Sequence, residues 1–328
     1  QAGAFAGSPV QPGCMCAFAP YDLENVKVVG FDVVTNRPKV AAYRAPGAPI
    51  SEYAVEALVD ELAQKLDMDP VDLRLKNAAK EGTRAAYGPK FGPIGHVKIL
   101  EEAKALEQYS TPLGQNQGRG VASGFWFNIG GETCAALQLN VDGTLNLMIG
   151  TPDIGGSRAS MALMAAETLG VDYEDVRPII GDTSSLGYNF LTGGSRATFS
   201  SGMAVVQASE DIIQKACARA AKVWEIDEEA VTWEDGLIKP SGPNAGDFEP
   251  MTLADIAKHA NKTGGPISGF AQINAQGAAP SFGTHVVDVE VDPETGKVDV
   301  LRYTVLQDAG KAVHPAYVEG QFQGGAAQ

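Results

Sequence analysis

Two near-identical hexapeptides carry the residues best suited to chemistry: "GGSRAS" at 155–160 and "GGSRAT" at 193–198. Each precedes a run that reads as a helix, and the first N–H groups of a helix have no partner within it. The helix dipole adds partial positive charge at the same place. Glycines let the backbone approach a ligand closely and take positive φ. Serine caps a helix or donates to an oxygen. The pattern suits an anion, above all a phosphate. It suits equally well two tight loops with Ser157 and Ser195 as plain caps, and the hexamer alone leaves both readings open. Arg158 and Arg196 add useful charge only where they face a ligand. No GxxxxGK[ST] occurs, so neither loop is a P-loop. No GxGxxG follows a strand with an acidic residue at the dinucleotide spacing.

The context extends the pattern. Five loops carry special residues: 42–49 "AYRAPGAP", 152–158 "PDIGGSR", 191–198 "LTGGSRAT", 307–315 "QDAGKAVHP" and 318–325 "VEGQFQGG". Glycine-rich loops gathered from most of a chain usually surround one large ligand. The other reactive side chains are sparse. Cys14, Cys16, Cys134 and Cys217 match no zinc or redox spacing and read as reduced thiols. The four histidines form no HExxH or His/Cys cluster, so no protein-ligated metal site is expected. Asp153 and Asp308 precede glycine-containing turns and read as turn-fixing residues. Glu132 reads as a solvated loop carboxylate, with a substrate-pocket role as the lesser alternative. Tyr43 and the aromatics of 124–128 read as packing residues before stacking ones.

Size and charge bound the rest. A chain of 328 residues, 44% hydrophobic and 20% charged, has room for about two domains. A formal net charge of −15 argues against a nucleic-acid partner, but not against a small anion held by backbone dipoles. No run approaches the roughly 18 apolar residues of a membrane span. The start lacks a basic, then apolar, leader, and together these imply a cytoplasmic location.

The elements that must position the loops follow from periodicity. The β-branched stretch 26–35 predicts a strand. A helix is predicted from Ser51 with Ala54, Leu58, Leu62 and Leu66 as its apolar stripe. A second follows with Pro70 in its first turn and Gly82 past its end, and a third over 94–107. The polar stretch 109–120 is the expected boundary, giving domains 1–113 and 114–328. Hairpins are predicted at Asp142-Gly143 and at 293–296, helices after each hexamer, and a strand near 173–183. The tail reads as a loop entering a helix, and 225–265 is uninformative. The fold class expected is α+β.

The five loops, in this order, resemble the molybdopterin-binding large subunit of the xanthine dehydrogenase/aldehyde oxidase family, the molybdenum hydroxylases. "YRAPGAP" (43–49) is similar to that family's Phe/Tyr-Arg-Gly-x-Gly-x-Pro segment, and "DIGGS" (153–157) to its acidic-x-Gly-Gln-Gly loop. "TGGSRATFSSGMAV" (192–205) is similar to its second cofactor loop, and 291–325 is the most similar stretch of all. The resemblance implies cofactor contacts at Arg44, at Ile154, Gly155 and Gly156, at Thr192, Gly193, Gly194, Ser195 and Ala197, and at Gln321. It places 193–195 nearer the molybdenum end and 155–158 nearer the pterin or its phosphate tail. It implies a molybdenum-pterin, in the molybdopterin cytosine dinucleotide form, whose metal is bound by the pterin dithiolene and not by side chains.

Three departures accompany it. Gly156 replaces the glutamine of the first loop. Ala45 stands where copper-containing carbon monoxide dehydrogenases carry cysteine, which argues against carbon monoxide as substrate. The Gly-x-Gly-Glu motif that supplies the family's general base is not in this sequence, so the catalytic residue is unassigned. The chain is therefore expected to be the middle of a large subunit, as a fragment or with the rest on a partner polypeptide. The implied reaction is hydroxylation of an N-heterocycle or aldehyde with oxygen from water. Electrons would leave through 2Fe–2S and FAD groups on partner domains or subunits. The alternative is a non-catalytic module that binds a phosphorylated ligand or assists cofactor assembly.

Overall fold

The computed structural model describes residues 8–328. In chain order the first elements are α1 (Val10–Cys16), α2 (Ala48–Lys65), α3 (Pro70–Asn77), α4 (His96–Ala105) and α5 (Glu107–Ser110). Strands β1 (Gln117–Trp126), β2 (Gly131–Leu139) and β3 (Leu145–Ile149) follow, then α6 (Ser157–Leu169) and β4 (Val176–Ile180). Helix α7 (Gly202–Trp224) leads to β5 (Val231–Glu234), β6 (Leu237–Pro240), α8 (Leu253–Lys258) and α9 (Ala260–Thr263). The chain closes with β7 (Ser268–Ala275), β8 (Ser281–Val291), β9 (Val298–Asp308) and α10 (Pro315–Ala327). This is a mixed α+β fold, as expected. It divides into two compact units, 1–128 with 279–311 and 129–278 with 312–328.

The first unit is built on an antiparallel sheet in the order β1-β8-β9, with Gln117 opposite Glu290 and Trp126 opposite Ser281. The β8–β9 hairpin turns where the sequence predicts, with Val291 opposite Val298. Phe125, Phe91 and Phe282 meet edge-on or tilted in its core, with centroids 5.2–5.7 Å apart. Such pairs add roughly 0.5–1.5 kcal/mol beyond their burial. His96 stacks on Phe282 at 4.8 Å, and burial holds its imidazole down to about 4, so it is neutral there.

Helix α2 is real, but its stripe faces the other way. Leu58 and Leu62 are exposed, while Val55, Glu56 and Ala63 are buried. The buried side holds a charge network. The Arg74 guanidinium donates to Glu56 (2.9 Å) and Asp60 (2.7 Å), the Ser123 N–H donates to Glu56 (2.6 Å), and the Tyr21 hydroxyl donates to Glu56. A buried carboxylate needs such partners, and they overrode the apolar pattern. Residues 26–35 belong to no strand among the described residues, and Phe31, Val33 and Val34 are exposed. A β-branched composition favours a strand only where a neighbour completes the ladder. Helix α3 stops at Asn77, before Gly82, because Ala78 turns extended and its N–H closes on Leu75.

The second unit holds the sheet β4-β3-β2-β7, with β3 and β4 parallel and the other pairs antiparallel. The β2–β3 hairpin turns at Asp142-Gly143 as predicted, with Gly143 at φ 89°. The Asp142 carboxylate accepts the Thr144 N–H at 3.0 Å. Helix α6 crosses between β3 and β4 and ends at Gly170 in the left-handed conformation. Leu137, Leu147 and Ile149 of the sheet are fully buried against Met161 and Leu169 of α6 and Ile212 of α7. Alanines 204, 208, 216 and 220 line the buried face of α7, which lets it sit close to the sheet. Gly269 of β7 is the counterpart, since a Cβ there would overlap the Ala208 carbonyl. Strand β7 and the β5–β6 hairpin lie in stretches where the sequence carries no clear period.

Candidate functional site

The second unit brings the two hexamers together. The Thr151 and Thr192 hydroxyls are 2.9 Å apart, tying the start of the first loop to the start of the second. Gly155 (φ 61°) and Gly156 (φ 78°) then turn the chain into α6. The N–H groups of both glycines find no acceptor among the described residues. Side chains from α10 fill the space beside them. A Cβ on Gly155 would lie 2.6 Å from the Gln321 amide, and one on Gly156 would overlap the Tyr317 ring. Glycine is therefore required at both positions on grounds of φ and of space.

The first loop is capped from within. The Asp153 carboxylate accepts the Arg158 N–H at 3.1 Å and pairs with the Arg158 side chain at 3.3 Å. Ser157 does not cap forward. Its hydroxyl donates back to the Pro152 carbonyl (3.2 Å) and accepts the Ile154 N–H (3.2 Å). Ile154 itself is exposed.

The second loop is built differently. Its Gly193 N–H donates to Leu191, and its Gly194 carbonyl accepts the Ile129 N–H at 3.0 Å. A Cβ on Gly194 would collide with the Ile129 side chain at 2.5 Å. Ser195 is a non-glycine residue at φ 60°, a conformation that costs an L-residue about 1–2 kcal/mol. Ala197 opens a π-turn, Ala197–Ser201, that feeds α7. The N–H groups of Gly194, Ser195 and Arg196 find no acceptor among the described residues.

Of the residues expected at the site, Ile154, Gly155, Gly156, Thr192, Gly193, Gly194, Ser195, Ala197 and Gln321 belong to the second unit. Arg44 belongs to the first, in the exposed loop that enters α2. That loop holds Ala45 at φ 51° and Gly47 at φ 81°. Sequence reasoning missed Thr151, Tyr317 and the depth at which Arg196 lies. The signal for Arg196 was its place in the repeat, which gives no clue to burial. Asp308 fixes its turn as expected, accepting the Gly310 N–H at 3.1 Å and the Gly95 N–H at 2.6 Å.

The arrangement offers two clusters of unspent N–H donors on glycine-lined turns, an amide from α10 and no carboxylate-rich metal cage. Among the described residues no group of three or more His, Cys, Asp or Glu is placed to hold a metal ion. No helix among them is long and apolar enough to cross a membrane. Donors without acceptors, on backbone that a Cβ would obstruct, fit an anionic, many-acceptor ligand such as a phosphorylated pterin.

Comparison with known proteins agrees. The family description "Molybdopterin cofactor-binding domain" matches residues 96–328, and a second of the same description matches 1–78. The chain is 32% identical over 315 residues to the xanthine dehydrogenase molybdenum-binding subunit of Escherichia coli O157:H7, covering 89% of this chain and 41% of that protein. It is 28% identical over 347 residues to the nicotine 6-hydroxylase large subunit of Paenarthrobacter nicotinovorans, covering 94% and 41%. Among solved structures, quinoline 2-oxidoreductase from Pseudomonas putida 86 shares the fold at TM-score 0.83 and 21% identity, over 97% of this chain and 44% of that one. The aldehyde oxidoreductase of Desulfovibrio desulfuricans superposes at TM-score 0.76 with 26% identity, over 97% and 34%. The chain thus spans about two fifths of the length of the curated relatives it matches.

Proposed function

Because the chain belongs to the molybdopterin-binding family of the molybdenum hydroxylases, we propose that it cradles the molybdenum-pterin of a hydroxylase acting on an N-heterocycle or aldehyde. The observation that carries the reading is the meeting of the two glycine loops through Thr151 and Thr192, with unspent N–H groups on both. When bound, the cofactor supplies the oxidation of an electron-poor carbon with oxygen from water.

The chain's own part is to bind and orient. The N–H groups of 194–196 take the anionic end. Asp153 already places a negative charge at the start of α6, which favours the second loop over the first for the phosphate and reverses the order the resemblance implies. Gly155, Gly156 and the Gln321 amide then serve the pterin body. Ile154, Thr192, Gly193 and Ala197 line the path between them, and Arg44 adds the one guanidinium the resemblance assigns. The cytosine dinucleotide form of the cofactor, and 2Fe–2S and FAD groups on partner domains or subunits, complete the proposal. No residue of this chain is assigned the role of base.

Metal and pterin analysis of the enzyme purified with its partners tests this reading. Stoichiometric molybdenum and pterin are expected, and both are expected to be lost in Gly194→Val. An active preparation free of pterin refutes the proposal. Pterin retained without any turnover points instead to an assembly module.

A further inference from the structure

Arg196 is 1% exposed, yet it carries a guanidinium. Its Nε donates to the Gly130 carbonyl at 2.9 Å and one Nη to the Phe190 carbonyl at 3.0 Å. The other Nη donates to the carbonyls of Gly131 (3.3 Å) and Glu132 (2.7 Å). Every acceptor is a neutral carbonyl, and among the described residues no carboxylate pairs with it directly; the Glu132 charge acts on it only from a distance. A buried cation without a directly paired counter-ion is costly. Lysine escapes by losing its proton, but arginine keeps its charge.

The place of those carbonyls gives the charge a use. They lie on 130–132 and 190, the two stretches that frame the second loop. The frame is closed by the Phe190 N–H donating to Glu132 at 2.9 Å and the Ile129 N–H donating to Gly194 at 3.0 Å. Within it sit Gly194, strained Ser195 and Arg196, whose own N–H groups have no acceptor among the described residues. The first hexamer has nothing comparable, since Arg158 is half exposed and paired to Asp153.

We propose that Arg196 is a positioning residue for the anionic end of the cofactor. Its guanidinium fixes the frame that presents the 194–196 N–H groups, and the bound anion completes the balance of charge that the distant Glu132 carboxylate only begins. The inference rests on the reading that this loop takes the cofactor's phosphate.

The test uses the 328-residue chain free of cofactor, with inorganic pyrophosphate as the probe. Thermal shift and calorimetric titration compare wild type, Arg196→Lys and Arg158→Gln, with circular dichroism to check folding. Wild type and Arg158→Gln are expected to bind alike, and Arg196→Lys about tenfold or more weakly, a loss of about 1.4 kcal/mol. In ¹⁵N-arginine spectra of wild type, saturation with pyrophosphate is expected to shift the Arg196 Nε–H resonance. That shift decides the matter should the lysine variant not fold. A folded Arg196→Lys that binds like wild type, an equal loss in Arg158→Gln, or an unmoved Arg196 resonance overturns the role of Arg196 and leaves the loop's function standing. A wild-type chain that does not respond to pyrophosphate overturns the reading of the loop, and this inference with it.

Discussion

Replacing Glu52 by glutamine removes one titratable proton from the interior of the first unit. Glu52 lies on α2, half-buried, and its carboxyl accepts a single N–H, from Phe125 at 3.1 Å. Burial is the main cause that lifts it to about 9. The Phe125 N–H opposes this, and the Glu56 charge adds to it. In the unfolded chain a glutamate titrates near ~4.3. Between those values the folded state keeps a proton that the unfolded state has released. Stability therefore falls as pH rises through this window. The contribution is complete below the unfolded value and gone above the folded one.

One proton is worth about 1.4 kcal/mol per pH unit, and partial access to water reduces this to about 0.7–1.4. From pH 6 to 8 wild type should lose about 1.4–2.8 kcal/mol relative to Glu52→Gln. The glutamine keeps an oxygen for the Phe125 N–H and never ionises. Urea melts at both pH values, read by amide exchange in the 117–126 segment, report on this unit. Parallel pH dependence in the two proteins, or a glutamine variant less stable at pH 8, refutes the argument.

Two further outcomes follow from backbone geometry. Ala45→Gly should stabilise the chain by about 0.5–1 kcal/mol, because a left-handed alanine costs about 1–2 kcal/mol and glycine's added unfolded-state freedom offsets part of the gain. Gly is also what the resembled motif carries there, and a denaturant midpoint that falls contradicts the strain. His314→Asp should protect the amides of 315–327 from exchange by about 0.5–1 kcal/mol. His314 is the N-cap of α10 at φ −132° without a side-chain cap bond, and its buried Nδ1 has no partner. A carboxylate there gains about 1 kcal/mol as a cap, less the stacking on Tyr317 at 4.0 Å. Faster exchange in the variant counts against it.

The sequence was most legible where a local rule sufficed. Asp142-Gly143, Gly170 and the turn at 293–296 sit where backbone conformation alone demands them. It was least legible where a partner distant in sequence decides. The α2 stripe was misread because Arg74, eighteen residues on, recruits Glu56 inward. The strand expected at 26–35 finds no ladder partner among the described residues. At the site, the glycines of both loops were readable from φ and spacing, but the Thr151–Thr192 bond joins residues 41 apart in sequence. No periodicity carries that information. Only the ordered set of loops pointed to one ligand.

The repeated hexamer shows how far identical letters diverge once folded. In both copies Gly-Gly opens a turn, and in both some N–H groups find no acceptor among the described residues. The arginine is where they part. Arg158 follows an aspartate that caps its helix, so its charge is met at the surface within five residues. Arg196 follows a leucine and threonine that cannot meet it, so it turns inward and finds carbonyls 64–66 residues away. The arginine of one copy is neutralised at the surface, and that of the other lies buried behind its loop. Two copies of one motif can therefore serve opposite ends of a single ligand, the uncharged ring and the anion. On the proposed reading, the presence or absence of one upstream carboxylate would assign each copy its end.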